Sequence, residues 1–234
     1  MKKTFYIFLF FIFFTEAINA QTFKPSVNVI ARGNYSFWLS DSGWKNAFKS
    51  FPGFQVEAVV NLNSNWGIAG TFASDFIPFE DGYVVIPGST VTRTSTNQFS
   101  GYIGPRYYIN IPGNKMLRIY IDAAAGLYSF TPGTFKITDS SNPPKVTEIS
   151  FSSLSQFGLN AGAGLNINLG TALFGNIMVR YHNILKKTGA VFNQTTKITQ
   201  GSSTTSESVN LPAETVHGRS YFQIGVGIGY SFGL

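Results

Sequence analysis

Residues 157–169 read Phe-Gly-Leu-Asn-Ala-Gly-Ala-Gly-Leu-Asn-Ile-Asn-Leu, so every second residue is apolar and those between are glycine or asparagine. This period of two is typical of a β-strand, whose side chains alternate between two faces. The stretch is longer than the roughly five or six residues usual in soluble sheets, whereas a tilted strand that crosses a membrane needs about 9–11 residues. The segment therefore predicts a membrane-spanning strand.

The same alternation recurs along the chain, and eight strands are predicted in all. The segments begin near Val27, Phe54, Trp66, Phe99, Leu117, Gln156, Leu173 and Tyr221. Connections after the second, fourth and sixth segments are short, at about 63–65, 110–116 and 170–171. The other connections are long and polar, at about 40–53, 77–97, 131–150 and 185–214. Their Ser, Thr, Asn, Gly and Pro content predicts mobile, hydrated loops.

Short turns at one end and long loops at the other are the layout of an outer-membrane barrel. We therefore predict an all-β fold, an eight-stranded antiparallel up-and-down transmembrane β-barrel with short periplasmic turns and long extracellular loops. The alternative is a secreted soluble barrel of the lipocalin type. The apolar face of the strands is then expected to meet lipid, and the glycine-rich polar face to line a narrow lumen.

The composition agrees with a protein whose outer solvent is lipid. Of the 234 residues, 12% are charged, 44% hydrophobic and 16% aromatic, whereas about 25% are charged in a typical soluble domain. There is no Cys, which excludes disulfides, thiolate metal sites and cysteine nucleophiles. The net charge of +6 is not concentrated in a basic run, so no nucleic-acid partner is predicted.

The charged residues are sorted by type along the predicted strands. The lysines after residue 20 all lie outside the strand cores, because a charge facing lipid at the membrane midplane costs about 2–4 kcal/mol. Arginines and several acids fall instead on the polar phase. Residues Arg32, Glu57, Asp75, Asp122 and Arg180 are expected at one mid-lumen depth as a salt-bridge cluster. The full predicted lumen network is Arg32, Glu57, Asp75, Arg106, Arg118, Asp122, Arg180 and Arg219.

The first twenty residues are predicted to be a cleaved secretory signal peptide. A basic start, Met1-Lys2-Lys3, precedes the apolar run Phe5 to Phe14, and Ala17-Ile-Asn-Ala20 supplies a small-residue cleavage site. The apolar run has ten residues, too few for the roughly 20 of a spanning helix. The predicted domain organisation is a signal peptide over 1–20 and one barrel domain over 21–234.

Aromatic residues near the strand ends are predicted to form girdles at the two membrane surfaces. The outer girdle would contain Trp38, Trp44, Phe48, Phe51 and Phe79, and the inner girdle Trp66, Tyr107 and Phe232. Alternatively, exposed aromatic and lysine side chains of the outer loops bind a partner or the phosphates of lipopolysaccharide. The candidates for such loop binding are Lys45, Phe48, Lys49 and Tyr83.

Two stretches resemble a known family. The strand Tyr102-Ile-Gly-Pro-Arg-Tyr-Tyr108 and the ending Ile224-Gly-Val-Gly-Ile-Gly-Tyr-Ser-Phe232 look like those of small OmpA/OmpX-type outer-membrane β-barrels, the outer membrane protein beta-barrel domain or porin family group. The resemblance implies location in the outer membrane of a Gram-negative-type envelope and contact with its lipid and lipopolysaccharide. It also implies insertion by the barrel-assembly machinery, with Tyr230 and Phe232 as the assembly signal.

The residues predict no enzyme, and a lipid-modifying activity that depends on His217 is kept as an alternative. The only histidines are His182 and His217, and His217-Gly-Arg-Ser220 lacks the His-x-Ser spacing of barrels that modify lipid A. No metal or cofactor is predicted, because no ligand constellation or phosphate-binding loop is present. The expected function is a structural, adhesion or partner-binding role through the extracellular loops. The alternatives are a narrow porin-like channel for ions or small solutes, and an accessory role in an envelope secretion or surface machinery.

Overall fold

A computed structural model describes residues 25–39, 46–80, 86–114 and 116–233. The predicted signal peptide over 1–20, and the predicted girdle or loop residues Trp44, Lys45 and Tyr83, lie outside the described residues. Within the described ranges, no helix has both the length and the apolar character needed to cross a membrane.

Strands make up nearly all of the described chain. In chain order they are β1 (Ser26–Trp38), β2 (Phe51–Asn61), β3 (Trp66–Ile77), β4 (Ser89–Arg93), β5 (Thr96–Asn110), β6 (Leu117–Thr131), β7 (Phe135–Asp139), β8 (Lys145–Phe151), β9 (Leu154–Asn168), β10 (Leu173–Ile184), β11 (Lys187–Gln200), β12 (Ser203–Val216) and β13 (Arg219–Gly233).

Eight of these strands close into an antiparallel barrel, in the order β1-β13-β10-β9-β6-β5-β3-β2. The first and last strands pair along their whole length, from Ser26 opposite Gly233 to Trp38 opposite Tyr221. All eight are strands that the alternation predicted, and the short turns after β2, β5 and β9 lie at one end. The predicted eight-stranded transmembrane barrel is confirmed.

The two faces of the barrel wall differ in polarity. The outward face meets lipid, and the inward face lines a narrow interior. Outward side chains are apolar and exposed, as with Phe72 (52% exposed) and Ile103 (63%). Along the described barrel strands no Lys, Arg, Asp or Glu points outward, and the described lysines all lie outside these strands. Inward side chains are polar or aromatic and buried, as with Gln55, Arg106 and Tyr120.

Three of the four long connections contain strands, which the sequence analysis does not predict. Parts of these connections form a second, five-stranded antiparallel sheet in the order β12-β11-β8-β7-β4, which we call the extracellular sheet. Its segments are rich in β-branched residues, which favour strands, as in Thr195-Thr-Lys-Ile-Thr199. The run Gly201-Ser-Ser-Thr-Thr-Ser206 is the β11–β12 turn and the start of β12, and Gly201 supplies the positive φ of +56° that the turn requires.

The extracellular sheet continues the barrel wall. Strands β4, β7, β8, β11 and β12 are joined by short breaks to β5, β6, β9, β10 and β13 respectively, and both sets of five follow the same spatial order. Five of the eight barrel strands are thus prolonged beyond the membrane. The connection between β1 and β2, whose residues 40–45 are not described, adds no strand to this sheet within its described part.

Two of the inward glycines are explained by the aromatic rings that lie beside them. Gly164 is paired with Tyr120, and a Cβ on this glycine would lie 2.3 Å from the Tyr120 hydroxyl oxygen. Gly229 is paired with Phe174, and its Cβ would lie 2.3 Å from the Phe174 ring. A narrow barrel has room for large rings only where the facing residue has no side chain.

We predict that Gly164→Ala destabilises the barrel, by about 1–3 kcal/mol, because an added methyl group overpacks the lumen against Tyr120. Denaturant unfolding of the barrel refolded in detergent micelles measures the loss. Gly33→Ala is the matched control, since nothing lies within 4 Å of a Cβ on this outward glycine. Equal stability of the two variants would contradict the explanation.

Candidate functional site

The middle of the lumen holds a cluster of buried ion pairs, which we call the central cluster: Arg32, Glu57, Arg106, Asp122 and Arg180. Glu57 accepts a hydrogen bond from Arg32 at 2.8 Å and forms an ion pair with Arg106 at 2.7 Å. Asp122 accepts from Arg106 at 2.6 Å and from Arg180 at 2.8 Å. The Arg180 guanidinium also lies 3.5 Å from Glu57, so the five side chains, from five different strands, form one network.

The central cluster has three guanidiniums and two carboxylates, and neutral groups stabilise the surplus cation. Arg180 donates to the Tyr102 hydroxyl at 2.8 Å, and Arg32 donates to the Asn176 amide oxygen at 2.5 Å. The Arg106 guanidinium lies over the Tyr120 ring, 3.9 Å from its centroid, in a cation–π contact. Buried charges are tolerated only with such partners, because removing ions from water costs several kcal/mol each.

The structure places Asp75 outside this cluster, contrary to the prediction of one common depth. Asp75 lies nearer the extracellular end, where it accepts hydrogen bonds from Asn34 at 2.9 Å and from Gln98 at 3.3 Å. Arg219 donates to Gln98 at 3.0 Å and to Gln156 at 2.7 Å. Gln98 therefore connects Asp75 with Arg219.

Arg106 belongs to the central cluster, although it was not among the residues predicted at the mid-lumen depth. Strands of a barrel are tilted and staggered, so equal counts from strand ends do not give equal heights. The pairing of Arg106 with Asp122 across β5 and β6 would have identified the contact. Arg118 lies apart, near the periplasmic turns, with its guanidinium 3.6 Å from the centroid of the Tyr108 ring.

Above the central cluster, a layer of aromatic side chains surrounds His182. This histidine is 1% exposed, its ring is stacked on Tyr221 at 4.5 Å, and its Nδ1 lies 2.9 Å from the Tyr128 hydroxyl. Asn160 donates to the same hydroxyl at 3.0 Å. The buried histidine is thus held by aromatic and amide groups, whereas His217 lies exposed in the break before β13.

The prediction that Trp38 and Phe51 belong to the lipid-facing girdle is wrong. Trp38 is 7% exposed and Phe51 is fully buried, and both lie inside the extracellular mouth with Tyr221. Trp38 occupies the same phase of β1 as Arg32, Asn34 and Ser36, which point inward, so the alternation itself places its ring in the lumen. The indole N–H donates to the Lys49 carbonyl at 3.1 Å.

Phe48 and Phe79 do not face lipid either, and Phe48 is not an exposed binding residue. The centroids of their two rings lie 4.8 Å apart. The Phe48 ring centroid lies 6.4 Å from that of Trp38 and 6.0 Å from that of Phe130. These aromatic side chains lie together at the extracellular mouth and close it. We call them the aromatic cap: Trp38, Phe48, Phe51, Phe79, Phe130 and Tyr221. Lys49 follows Phe48 in the same connection, and its backbone N–H donates to Pro78.

The remaining predicted aromatic residues lie on the outer surface near the periplasmic turns. Trp66 and Tyr107 are paired across β3 and β5, with their rings 4.9 Å apart. Tyr230 and Phe232 lie 4.7 Å apart at the end of β13 and are exposed. Their roles in the girdle and as an assembly signal remain predictions.

The extracellular sheet has one apolar and one polar face, because directly paired residues share a face. One row of paired residues on the apolar face runs through Val91, Ile137, Thr147 and Ile198. The neighbouring row on the same face runs through Phe135 and Ile149. The apolar face contains Val91, Phe135, Ile137, Ile149, Phe151, Phe192, Ile198, Val209 and Leu211. The Phe135 ring lies 5.1 Å from Phe79, so this face is continuous with the aromatic cap.

The opposite face of the extracellular sheet is polar. One row pairs Thr92, Lys136, Glu148, Lys197 and Ser206 across all five strands. Lys136 and Glu148 form an exposed ion pair at 3.8 Å. In the turn between β7 and β8, hydrogen bonds from the Ser141 hydroxyl and from backbone N–H groups hold the pKa of Asp139 below its ordinary value. Among the described residues no cluster of three or more potential metal ligands is present.

We expect Arg180→Ala to lower the free energy of unfolding by about 3–5 kcal/mol, because it breaks the buried ion pairs of Arg180 with Asp122 and Glu57 and leaves a cavity in the lumen. Denaturant titration in detergent micelles measures the change. The exposed pair provides the control: Lys136→Ala should cost less than about 1 kcal/mol. A loss of similar size in both variants would show that the central cluster does not stabilise the barrel.

Comparison with known proteins identifies the family. The profile of the family described as "Outer membrane protein beta-barrel domain" matches residues 6–232. No curated protein matches the chain. Among solved structures, the barrel is similar to a major outer membrane protein from Thermus thermophilus, with a TM-score of 0.57, 14% identity and coverage of 88% of this chain and 99% of that one.

Two further structures match with lower scores. The attachment invasion locus protein Ail of Yersinia pestis has a TM-score of 0.43 at 17% identity, with 89% of this chain and 98% of that chain covered. The outer membrane protein OprG from Pseudomonas aeruginosa has a TM-score of 0.49 at 14% identity, with 90% and 97% covered. Since the family profile spans almost the whole sequence and the strands close into a lipid-facing barrel, the chain belongs to the outer membrane protein beta-barrel domain family.

Proposed function

We propose that this outer-membrane barrel holds its extracellular sheet at the cell surface as a binding platform for a partner protein. The observation that carries the proposal is the ordered five-stranded sheet with an apolar face, formed by connections that a purely structural barrel could replace with short loops. Exposed apolar patches on a protein surface commonly mark interaction sites.

The platform is attached to the membrane without a flexible linker. Breaks of only two or three residues, such as 132–134, 152–153 and 185–186, separate its strands from those of the barrel. Each strand of the platform is hydrogen-bonded to its neighbour in the sheet, as β7 is to β8. The Phe135 ring is packed against Phe79 of the aromatic cap. A surface held in this way loses little conformational entropy when a partner binds.

The side chains of the apolar face suggest the chemistry of the partner. No described strand is layered on this face, and Val209 and Leu211 on β12 are 45% and 39% exposed. Arg93 on β4 and Glu207 on β12 stand at its two edges, in the row that contains Phe135 and Ile149. An apolar centre with a charged rim fits a protein surface of the same design.

The filled lumen argues against the alternative of a channel. The central cluster, the His182 layer and the aromatic cap stand one above another, and Arg106, Arg180 and Tyr221 are at most 2% exposed. Side chains buried to this degree fill the lumen at three levels. This packing supports a barrel that holds the platform over a barrel that conducts.

The platform is tested by charges on its two faces. We expect the double variant Val209→Asp/Leu211→Asp to lose partner binding, because burying an unpaired carboxylate in an interface is costly. Ser208→Asp/Asn210→Asp places the same charges on the opposite face of the same strand and is the control. Proteins captured from envelope and extracellular fractions by the barrel in lipid nanodiscs are compared by mass spectrometry. A partner that both double variants retain equally would contradict binding through the apolar face.

The absence of conduction is tested separately in planar lipid bilayers. We expect no steady ion current through the wild-type barrel, and none through Arg180→Ala, because the aromatic cap and the His182 layer still obstruct the lumen. Currents in the wild type that change in size or ion selectivity in Arg180→Ala would restore the channel hypothesis.

A further inference from the structure

The extracellular sheet has two edge strands, which differ in how well they are protected against pairing with another chain. β4 has only five residues, Ser89–Arg93, and a very short edge strand is a common form of protection. β12 has 14 residues, Ser203–Val216, and is paired with β11 alone. The edge of β12 is therefore the longer of the two open edges.

On the other side of β12 the described chain provides no strand. This side lies above β1, which ends at Trp38, and the backbone N–H of Leu39 donates to the Ser220 carbonyl at 3.0 Å. β12 lies farther from the membrane than this contact, and its residues 203–212 are all exposed. The described wall thus leaves this part of β12 open to solvent.

The hydrogen-bond pattern determines which backbone groups of β12 point to the open side. Asn193 of β11 accepts from the Ser152 N–H at 2.9 Å, so its backbone groups point towards β8. Successive residues of a strand direct their backbone groups to alternate sides, so those of Gln194 point to β12 and meet Val209. By the same alternation, the residues of β12 whose N–H and C=O groups point to the open side are Thr204, Ser206, Ser208 and Asn210.

Pro212 protects only the part of this edge that is nearest the membrane. The alternation directs its backbone to the open side as well, and a proline there has no N–H to donate. From Thr204 to Leu211 the strand contains no proline and no lysine, and it pairs with β11 in one register without a bulge. Proteins commonly use these three devices to prevent an edge from pairing. The stretch from Thr204 to Leu211 therefore has the features of an edge to which a further strand can be added.

A second copy of this chain fits the edge poorly. β12 runs from the tip of the sheet towards the membrane, so the β12 strands of two barrels in one membrane pair only in parallel. A two-fold axis along the membrane normal would then place Glu207 beside its own copy, and like charges on neighbouring strands are destabilising. Parallel pairing is also slightly less stable per residue. A strand from another protein has neither restriction.

We propose that β12 binds an extended segment of the partner protein, which adds an antiparallel sixth strand to the extracellular sheet. The proposal rests on the proposed function, since it takes this sheet as the surface that meets a partner, and it adds the mode of binding. Backbone hydrogen bonds with residues 204–210 provide the affinity. Side chains provide the preference, because apolar residues of the segment lie beside Val209 and Leu211, and a basic residue lies beside Glu207.

The test uses the full barrel in lipid nanodiscs and a peptide, Thr-Val-Thr-Val-Thr-Lys-Thr-Thr, that carries fluorescein at its N-terminus. Paired antiparallel with β12, its valines lie beside Leu211 and Val209 and its lysine beside Glu207. Fluorescence anisotropy gives the Kd, and we expect saturable binding. N-methyl groups on the third, fifth and seventh residues, whose N–H groups face β12, should weaken binding at least about tenfold. N-methyl groups on the second, fourth and sixth residues face solvent and should leave the Kd unchanged.

Two substitutions in β12 locate the bound peptide. Ser208→Pro removes one N–H from the open edge, as Pro212 already does, and should weaken binding at least about tenfold. Glu207→Lys brings like charges together and should also weaken binding, and a peptide with glutamate in place of its lysine should recover the loss. Glu148→Lys makes the same change of charge on β8 and is the control that keeps the wild-type Kd. Heat-modifiable mobility in gels and the amide resonances of β11 report whether barrel and sheet have folded.

The added strand is rejected if the peptide does not bind, if both N-methylated peptides bind as the unmodified one does, or if folded Ser208→Pro keeps the wild-type Kd. Failure of this proposal can be told apart from failure of the platform. A natural partner that is lost in Val209→Asp/Leu211→Asp but retained by Ser208→Pro supports the apolar face and overturns the added strand. Peptide binding that Ser208→Pro abolishes, without any partner that depends on the apolar face, supports the added strand alone.

Discussion

The obligation to pair every backbone N–H and C=O group within lipid is the constraint on which the rest of this structure depends. It forces β1 onto β13 and closes eight strands into a ring, because an open edge in the membrane would leave a whole strand unpaired. Closure at eight strands in turn gives a lumen so narrow that side chains must fill it. The pairing of Tyr120 with Gly164 and of Phe174 with Gly229 follows from this narrowness, since each ring needs the space of an absent side chain.

The same narrowness explains why the interior is both charged and solid. The polar phase of the strands cannot face lipid, so their charges converge within the lumen and must pair there. Glu57 and Asp122 each form ion pairs with at least two arginines, and oxygens of Tyr102 and Asn176 accept further guanidinium donors. A network built from five strands also ties together parts of the chain that are distant in sequence. Its contribution to stability and its obstruction of the lumen are therefore two results of one arrangement.

The alternation of side chains predicted the strands, the two faces of the wall and the inward position of every lumen charge. It did not predict depth, because strand stagger is a property of the closed barrel; Asp75 and Arg106 changed places relative to the expected cluster for this reason. Trp38 was assigned to the lipid-facing girdle because it is a tryptophan near a strand end. The alternation of β1 places it with the inward residues, and the structure agrees with the alternation. The Thr-rich connections were assigned to loops because composition suggested hydration, although their β-branched residues favour strands wherever a neighbouring strand offers pairing.

The polarity of the wall inverts where the surrounding solvent changes. Within the barrel the outward face is apolar and the inward face polar, whereas in the extracellular sheet the face that meets the aromatic cap is apolar and the other carries the Lys136–Glu148–Lys197 row. In β11 and β12, Phe192 and Leu211 keep the phase of the inward residues of β10 and β13. Phase is therefore preserved through these two breaks while side-chain polarity switches, whereas it shifts by one residue at the breaks that join β4, β7 and β8 to the barrel. The aromatic cap lies at the switch. A wall that passes from lipid into water must change in this way, and the unpaired edges of β4 and β12 are tolerated only on the water side, where solvent can satisfy them.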